Sequence, residues 1–498
     1  MKKQTKWVAI LSASALLALG ANFSSFAAIN GWALEGNEWY YYENDYALEN
    51  EWKKSADGNY YYLGENGAML RSTMVDDTYY VDSNGMRVHN QWRYLPAISA
   101  DSGSRWFYFG DDGKAITSSS KTINNQRYVF NENGEMRSGL IETGGKTYYH
   151  GSSQDGARKT NAWYKLTPKE DNDDDEAFWY YFDTNGVRLE NKKQKINQKT
   201  YLFNSNGRML SGWVNTETFD NITESISSLG VDAPISFAGL ADDGALKMSE
   251  WILTYAPEDE DQNNGRSWYY FQSSAKPHVG DLTPSGSIKK IGTKYYGFNP
   301  NGIMYSDLRT FIDGEGNKFR YYFGAFSDGS LKTGKQTVTD DQGDSYSAFF
   351  NTSSANRGVG VTSIEEGTLY LEGIRLDAES GRTYSIANTK NGLYVVNEKG
   401  KAQTNKTNGV KDANENKLYT NSNGFLTKAE LTQAKKIFVL DTTAENDASE
   451  VVQANGTTVI TYNTTASFVA ALEAAQFSVV STTDFVDPYR IKMPAASN

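Results

Sequence analysis

The chain has 498 residues, too many for a single hydrophobic core, so its length implies several domains or an array of repeats. Aromatic residues make up 13% of it, with 44 Gly against only 9 Pro, a balance that suits short strands and tight turns rather than helices or disorder. A formal net charge of -12 argues against nucleic-acid binding, and the lack of any cysteine excludes disulfides, thiolate metal sites and a lipidated cysteine anchor.

In chain order, the first element reads as an export leader. Lys2, Lys3 and Lys6 precede an apolar run from Trp7 to Ala21, and Ser25-Phe26-Ala27 offers small residues for cleavage, which places a signal peptide over 1–27. Ser12 and Ser14 interrupt the run, and it is short for a membrane span. The expected location is therefore secreted, extracellular or cell-wall associated, with no membrane span after cleavage. Losing the leader's lysines makes the remainder more acidic still, which disfavours nonspecific sticking to an anionic envelope.

From residue 30 onward, aromatic runs ending in a polar turn return again and again: WYYYENDY, YYYLGENG, TYYVDSNG, WFYFGDDG, RYVFNENG, WYYFDTNG, TYLFNSNG and KYYGFNPNG. In WYYFDTNG, alternation along a strand puts Trp179 and Tyr181 on one face and Tyr180 and Phe182 on the other. Asp183 and Asn185 tolerate turn geometry, Gly186 accepts positive φ, and Val187-Arg188-Leu189 supplies the return. One such hairpin is marginal alone, so recurrence at roughly 20-residue intervals implies units that stack on their neighbours. Met69, Met86, Met136, Met209 and Met304, each just after a turn, are suited to the apolar contact between successive units.

Gly31-Trp32 followed by Trp39-Tyr40-Tyr41, Gly212-Trp213, and the turns GENGAML and NSNGRML together resemble the choline-binding or glucan-binding type of cell-wall-binding repeat. The resemblance covers most of residues 30 to 430. It implies a left-handed superhelix of β-hairpins with ligand sites between successive units. In choline-binding members, aromatics of adjacent repeats cage the trimethylammonium group of choline on teichoic acids; in glucan-binding members, aromatics lie against sugar rings. A quaternary ammonium donates no hydrogen bond, so aromatic faces are its natural partners. The cage candidates are Trp32, Trp39, Tyr61, Trp52, Tyr60, Tyr79, Trp92, Trp106, Tyr128, Trp163, Trp179, Tyr201, Trp251, Trp268 and Tyr295. For each of them the alternative is plain packing between hairpins.

The units are uneven. Glu51, Gln91, Ala162 and Glu250 stand where the pattern has Gly before Trp52, Trp92, Trp163 and Trp251, and not every unit brings a Trp, so only alternate interfaces are expected to be competent. Three Trp-bearing hairpins also carry long loops, including KEDNDDDE before Trp179 and EDEDQNNG before Trp268. These loops read as solvated excursions, with two alternatives: Asp173, Asp174, Asp175, Asp259 and Asp261 attract a cationic ligand, or they bind Ca²⁺. An EF-hand counted from Asp171 fails, since Glu176 sits where Gly is required and Phe182 where the bidentate Glu belongs.

All eleven Trp lie at or before Trp268. Trp-containing repeats are thus expected over 28–304, with binding concentrated there, and degenerate repeats over 305–428 serving mainly as spacer or for weaker carbohydrate contact. From 429 to 498 the aromatic pattern stops. Strands over Ile437 to Leu440 and Thr457 to Tyr462, with a helix over Ser467 to Gln476 capped by Thr464, Thr465 or Ser467, suggest a small α/β domain of unknown role. The expected fold class is all-β, an elongated solenoid of stacked β-hairpin repeats with that small C-terminal α/β domain. His89, His150 and His278 are isolated in repeat-like contexts, which argues against a histidine metal site or a Ser-His-Asp triad. The expectation is a non-catalytic protein without cofactor or metal, attached noncovalently and multivalently to choline-bearing teichoic acid or wall polysaccharide. An exported glucan-binding adhesin or matrix protein is the alternative, and a wall hydrolase a third.

Overall fold

The computed structural model describes residues 30–98, 103–168, 176–230, 232–259 and 261–494. The expected leader over 1–27 and the acidic run Asp173 to Asp175 lie outside these residues. Strands dominate, and among the described residues only Thr465–Ala474 forms a helix longer than one turn. No helix in the described chain is long and apolar enough to cross a membrane.

The hairpins form for local reasons. The two-residue reversals at Asn124-Asn125, Gly144-Gly145 and Asp76-Asp77 place both residues at positive φ, the geometry whose twist matches that of the flanking strands. Where the polar turn after a hairpin opens with Asp or Asn, that first side chain closes it. Asp183 Oδ1 accepts from the backbone N–H of Asn185 at 2.8 Å and of Val187 at 2.9 Å. Asn204 and Asn299 close their own turns in the same way. Gly186 sits at φ 79° in this turn, and a Cβ there would lie 2.8 Å from Arg158 Cδ, so the turn needs glycine both for its backbone and for the side chain beneath it.

The chain divides into two compact units, one of residues 1–192 with 203–209, the other of 193–202 with 210–498. In the first, seven hairpins follow one another from Gly31–Glu35 with Glu38–Glu43 to Ala162–Leu166 with Phe178–Phe182. Each return segment sends one backbone N–H back to the preceding hairpin: Met69 to Trp39 O, Arg87 to Tyr60 O, Ala115 to Thr78 O, Met136 to Trp106 O. Adjacent hairpins are thereby locked in register, with Phe107, Phe109, Phe130 and Phe182 fully buried at the seams.

The second unit continues in the same style, with the paired strands Trp213–Asn215/Ile235–Phe237, Glu250–Thr254/Ser267–Phe271 and Ile288–Ile291/Lys294–Gly297. It then builds wider sheets. Five strands between Gly334 and Arg375 form one, and six strands between Val410 and Tyr462 form another, on which the helix packs through Phe468 and Leu472 against Phe438 and Tyr462. Lys436–Leu440 runs parallel to Thr458–Tyr462, and Thr464 caps the helix by accepting from Ser467 N, as the sequence suggests. The strand Leu426–Leu431, however, runs straight through the expected boundary at 428/429, so the terminal piece shares its sheet with the preceding repeats. Beyond the helix, Val479–Val480 pairs in parallel with Tyr384–Thr389, and Arg490–Lys492 with Leu308–Ile312. Nothing in the local pattern of those short strands announces such distant partners.

Candidate functional site

The strand register brings two indoles together in a defined way. Trp92 faces Tyr108, and two positions on, Tyr94 faces Trp106, so the two Trp are diagonal neighbours on one face of the hairpin. Their rings meet at 6.3 Å and 87°, an almost right-angled corner. The next hairpin adds Tyr128 at 4.8 Å from Trp92, with Phe130 stacked at 5.7 Å behind it. Met136 closes the base. Its N–H donates to Trp106 O at 2.7 Å, and its side chain is buried among Trp92, Trp106, Tyr108 and Tyr128. Burial, and then the Asp155 carboxylate, hold the Tyr128 phenol above its ordinary pKa, so it stays neutral with its π face intact. Three rings and a thioether make a surface for an ammonium or for the apolar face of a sugar.

The same corner recurs. Trp163 and Trp179 meet at 6.4 Å and 86°, with Phe203 stacked on Trp163 at 5.6 Å and Met209 N donating to Trp179 O. Tyr201 lies two positions before Phe203 on the strand Lys199–Phe203, in the other compact unit. At the first seam Trp32 touches Tyr41 at 5.2 Å and Tyr61 at 5.3 Å, while Trp39 packs with Met69 below. Tyr61 is only 2% exposed, and its hydroxyl donates to Asp57, so it serves packing more than ligand contact.

Around Trp251 the structure corrects one expected ring. Tyr296, not Tyr295, meets Trp251, at 4.7 Å, with Phe298 stacked at 5.8 Å and Met304 N donating to Trp268 O. Tyr295 points to the opposite face, as alternation requires of its neighbour. There it lines a cleft of about 530 Å³ with Lys290, Lys294, Lys332 and Arg357. Lys290 and Arg357 both lie 5.9 Å from its ring, so two cations share that face, where the Trp163/Trp179 corner has Lys165 alone at 5.9 Å from Trp179.

The methionines carry a signal that extends beyond inter-unit packing. Wherever the carbonyl receiving this N–H belongs to a Trp, at Trp39, Trp106, Trp179 and Trp268, the donor is Met69, Met136, Met209 or Met304. Where it belongs to Tyr60, Thr78, Arg127, Thr147, Thr200 or Tyr295, the donor is Arg87, Ala115, Arg158, Arg188, Leu246 or Leu331. Met86 is one position out of this slot. Seams therefore fall into two kinds, and the seam of Trp52, Tyr60 and Tyr79 falls with the second.

Other candidates resolve as structural. Asp259 is buried and accepts from Asn263 N, Asn264 N and Asn264 Nδ2, closing its own loop. Among the described residues no three His, Cys, Asp or Glu gather as a metal site. His150 is fully buried against Gly156 O, and burial pushes its imidazole down to about 4. His278 stacks between Tyr270 and Phe298, and burial and then Lys289 lower its pKa. Trp213 is 6% exposed and donates to Tyr255 O, so this Gly-Trp copy belongs to a core.

A family model described as a choline-binding repeat matches residues 46–86, and one described as a cell wall binding repeat matches 179–187 and 194–209. Repeats of the choline-binding and cell-wall-binding type are thus matched within these two stretches of the chain. Among curated relatives it is 27% identical over 191 residues to Glucosyltransferase-S of Streptococcus mutans, covering 37% of this chain and 12% of that one. It is 21% identical over 424 residues to Glucosyltransferase-I of Streptococcus downei, covering 80% of this chain and 25% of that one. The chain thus spans a quarter or less of the length of these relatives. Similar solved structures include choline binding protein F of Streptococcus pneumoniae, at TM-score 0.35 and 22% identity over 66% of this chain and 98% of that one. The modular autolysin LytC of the same organism matches at TM-score 0.35 and 19% identity, over 57% and 55% of the two chains.

Proposed function

We propose that this chain is an exported, non-catalytic binding protein that attaches to a wall polymer bearing quaternary ammonium groups, choline on teichoic acid being the fitting case. One observation carries the reading: the right-angled Trp pair with a Met at its base, found in the same strand register at Trp92/Trp106 and again, with two hairpins between, at Trp163/Trp179. Each corner offers several ring faces within about 6 Å of one point, the reach at which a cation is attracted by a ring quadrupole. Individual corners bind weakly, and a polymer engaging several at once gains affinity through effective concentration.

A second reading, a glucan ligand, is favoured by the likeness to two glucosyltransferases, since the same ring faces suit the apolar face of a sugar. The test that separates them is retention on immobilised choline followed by elution with free choline or with dextran. Release by choline alone supports the first reading, release by dextran alone from a glucan matrix supports the second, and no retention on choline ends the first. The variant carrying both Trp163→Ala and Trp179→Ala should bind more weakly than the parent. Purified protein incubated with wall or glucan should release no new reducing ends.

A further inference from the structure

We propose that the seam of Trp52, Tyr60 and Tyr79 is a cation cage already filled by the chain's own Arg87, and that the residue in this slot decides which seams accept an ammonium ligand. The proposal rests on the reading above. Arg87 stands where the open corners carry methionine: its N–H donates to Tyr60 O at 2.8 Å as Met136 donates to Trp106 O, and Val81 bridges Arg87 as Phe130 bridges Met136.

The ring walls are preserved. Trp52 meets Tyr62 at 5.1 Å and 62° and Tyr79 at 5.2 Å and 65°; Trp92 meets Tyr108 at 5.1 Å and 63° and Tyr128 at 4.8 Å and 64°. What differs is the occupant. The Arg87 guanidinium carbon lies 4.1 Å from the Tyr60 centroid, 5.5 Å from Trp52 and 5.6 Å from Tyr79, within cation–π reach of all three rings that would face a ligand. Its Nε is buried without a hydrogen-bond partner, so the ring faces are what compensate that desolvated donor. The side chain is also clamped from outside, since a Cβ on Gly113 of the following turn would lie 2.7 Å from Arg87 Nε. An ammonium entering this seam would have to expel the guanidinium from its rings or sit beside a like charge.

Filling this seam from within has a functional consequence. A cage filled from within adds ring packing between hairpins without adding a ligand site, so sites are spaced along the array rather than present at every seam.

The test uses the full chain. Arg87→Met should raise the choline stoichiometry in calorimetry by one site per chain, and adding Trp52→Ala to it should remove that gain. Unchanged stoichiometry in a folded Arg87→Met variant, with the parent binding choline, overturns the proposal; a parent that binds no choline fails the functional reading instead. A second measurement is independent of that reading. In the parent, the Arg87 Nε–H proton, assigned by its loss in Arg87→Met, should be shifted upfield by the rings and should stay in place when choline is added. A resonance at the ordinary arginine position, or one that moves with choline, overturns the proposal.

Discussion

Replacing Trp106 and Trp92 separately by Ala should divide binding from folding at a single corner. Trp106 is half-exposed, touching Trp92 at 6.3 Å and Tyr94 at 5.2 Å, with its Nε1 donating to Gln154. Trp92 touches four rings, Trp106, Tyr108, Tyr128 and Phe130, all within 6.3 Å. At about 0.5–1.5 kcal/mol for each aromatic contact, Trp92→Ala should cost roughly 2–6 kcal/mol of stability, and Trp106→Ala about 1–3. For a ligand, one ring face of a desolvated cation site contributes roughly 1–2 kcal/mol, so Trp106→Ala should weaken choline binding at this seam by about five- to thirtyfold. At choline concentrations that saturate the parent, calorimetry should then count one site fewer per chain. Melting followed by circular dichroism should show Trp92→Ala falling clearly further than Trp106→Ala. If Trp106→Ala keeps every site, or destabilises the protein as much as Trp92→Ala, then Trp106 is a packing residue and the corner is not a binding surface.

Tyr296→Ala should weaken the Trp251 seam while Tyr295→Ala leaves choline binding unchanged, read in the same calorimetric titration; the reverse result would restore Tyr295 as the ligand ring. Gly156→Ala forces a Cβ to 2.1 Å from Met136 Sδ at φ 65°, so it should cost about 1–3 kcal/mol in denaturant and weaken the Trp106 corner along with it. Asp487→Ala should destabilise the second unit by roughly 3 kcal/mol, because the buried Arg320 donates Nε and Nη2 to that carboxylate at 2.6 and 3.1 Å and would keep only its Nη1 hydrogen bonds to Glu372 at 2.8 and 3.2 Å. Burial alone would raise the Asp487 pKa, but hydrogen bonds from Arg320 and Thr310 overcome it and hold it below the usual carboxylate range. The linked stability is present above the unfolded value near about 4 and is lost as pH falls through the depressed folded value, so acid unfolding should lose this steepness in Asp487→Ala.

Much of the first unit was written locally. Asp183, Asn185 and Gly186 specify a turn by their own side chains and backbone, and the diagonal pairing of Trp92 with Trp106 follows from strand alternation once the hairpin is recognised. The choice between Tyr295 and Tyr296 did not follow, because both positions are Tyr and a one-residue slip exchanges the faces; counting back two from Phe298, the counterpart of Phe130, identifies the correct one. The Met slot was visible as a recurrence, but its meaning lies in which carbonyl it bonds, a contact between hairpins that composition does not encode. Arg87 hid in the same slot because arginine after a turn looks like a solvated charge. Over 429 to 498, the helix and its Thr464 cap were legible from local preference, whereas the parallel partners of 479–480 and 490–492 lie about a hundred residues or more back along the chain and leave no periodic trace.

Those two parallel additions impose an order of events on folding. A ribosome releases 308–312 and 384–389 well before 479–480 and 490–492, and in the interval each earlier strand presents a bare row of backbone donors and acceptors. Polypeptides truncated before residue 479 should keep those rows open for good, and they are the forms expected to self-associate edge to edge while the hairpins nearer the amino terminus fold undisturbed.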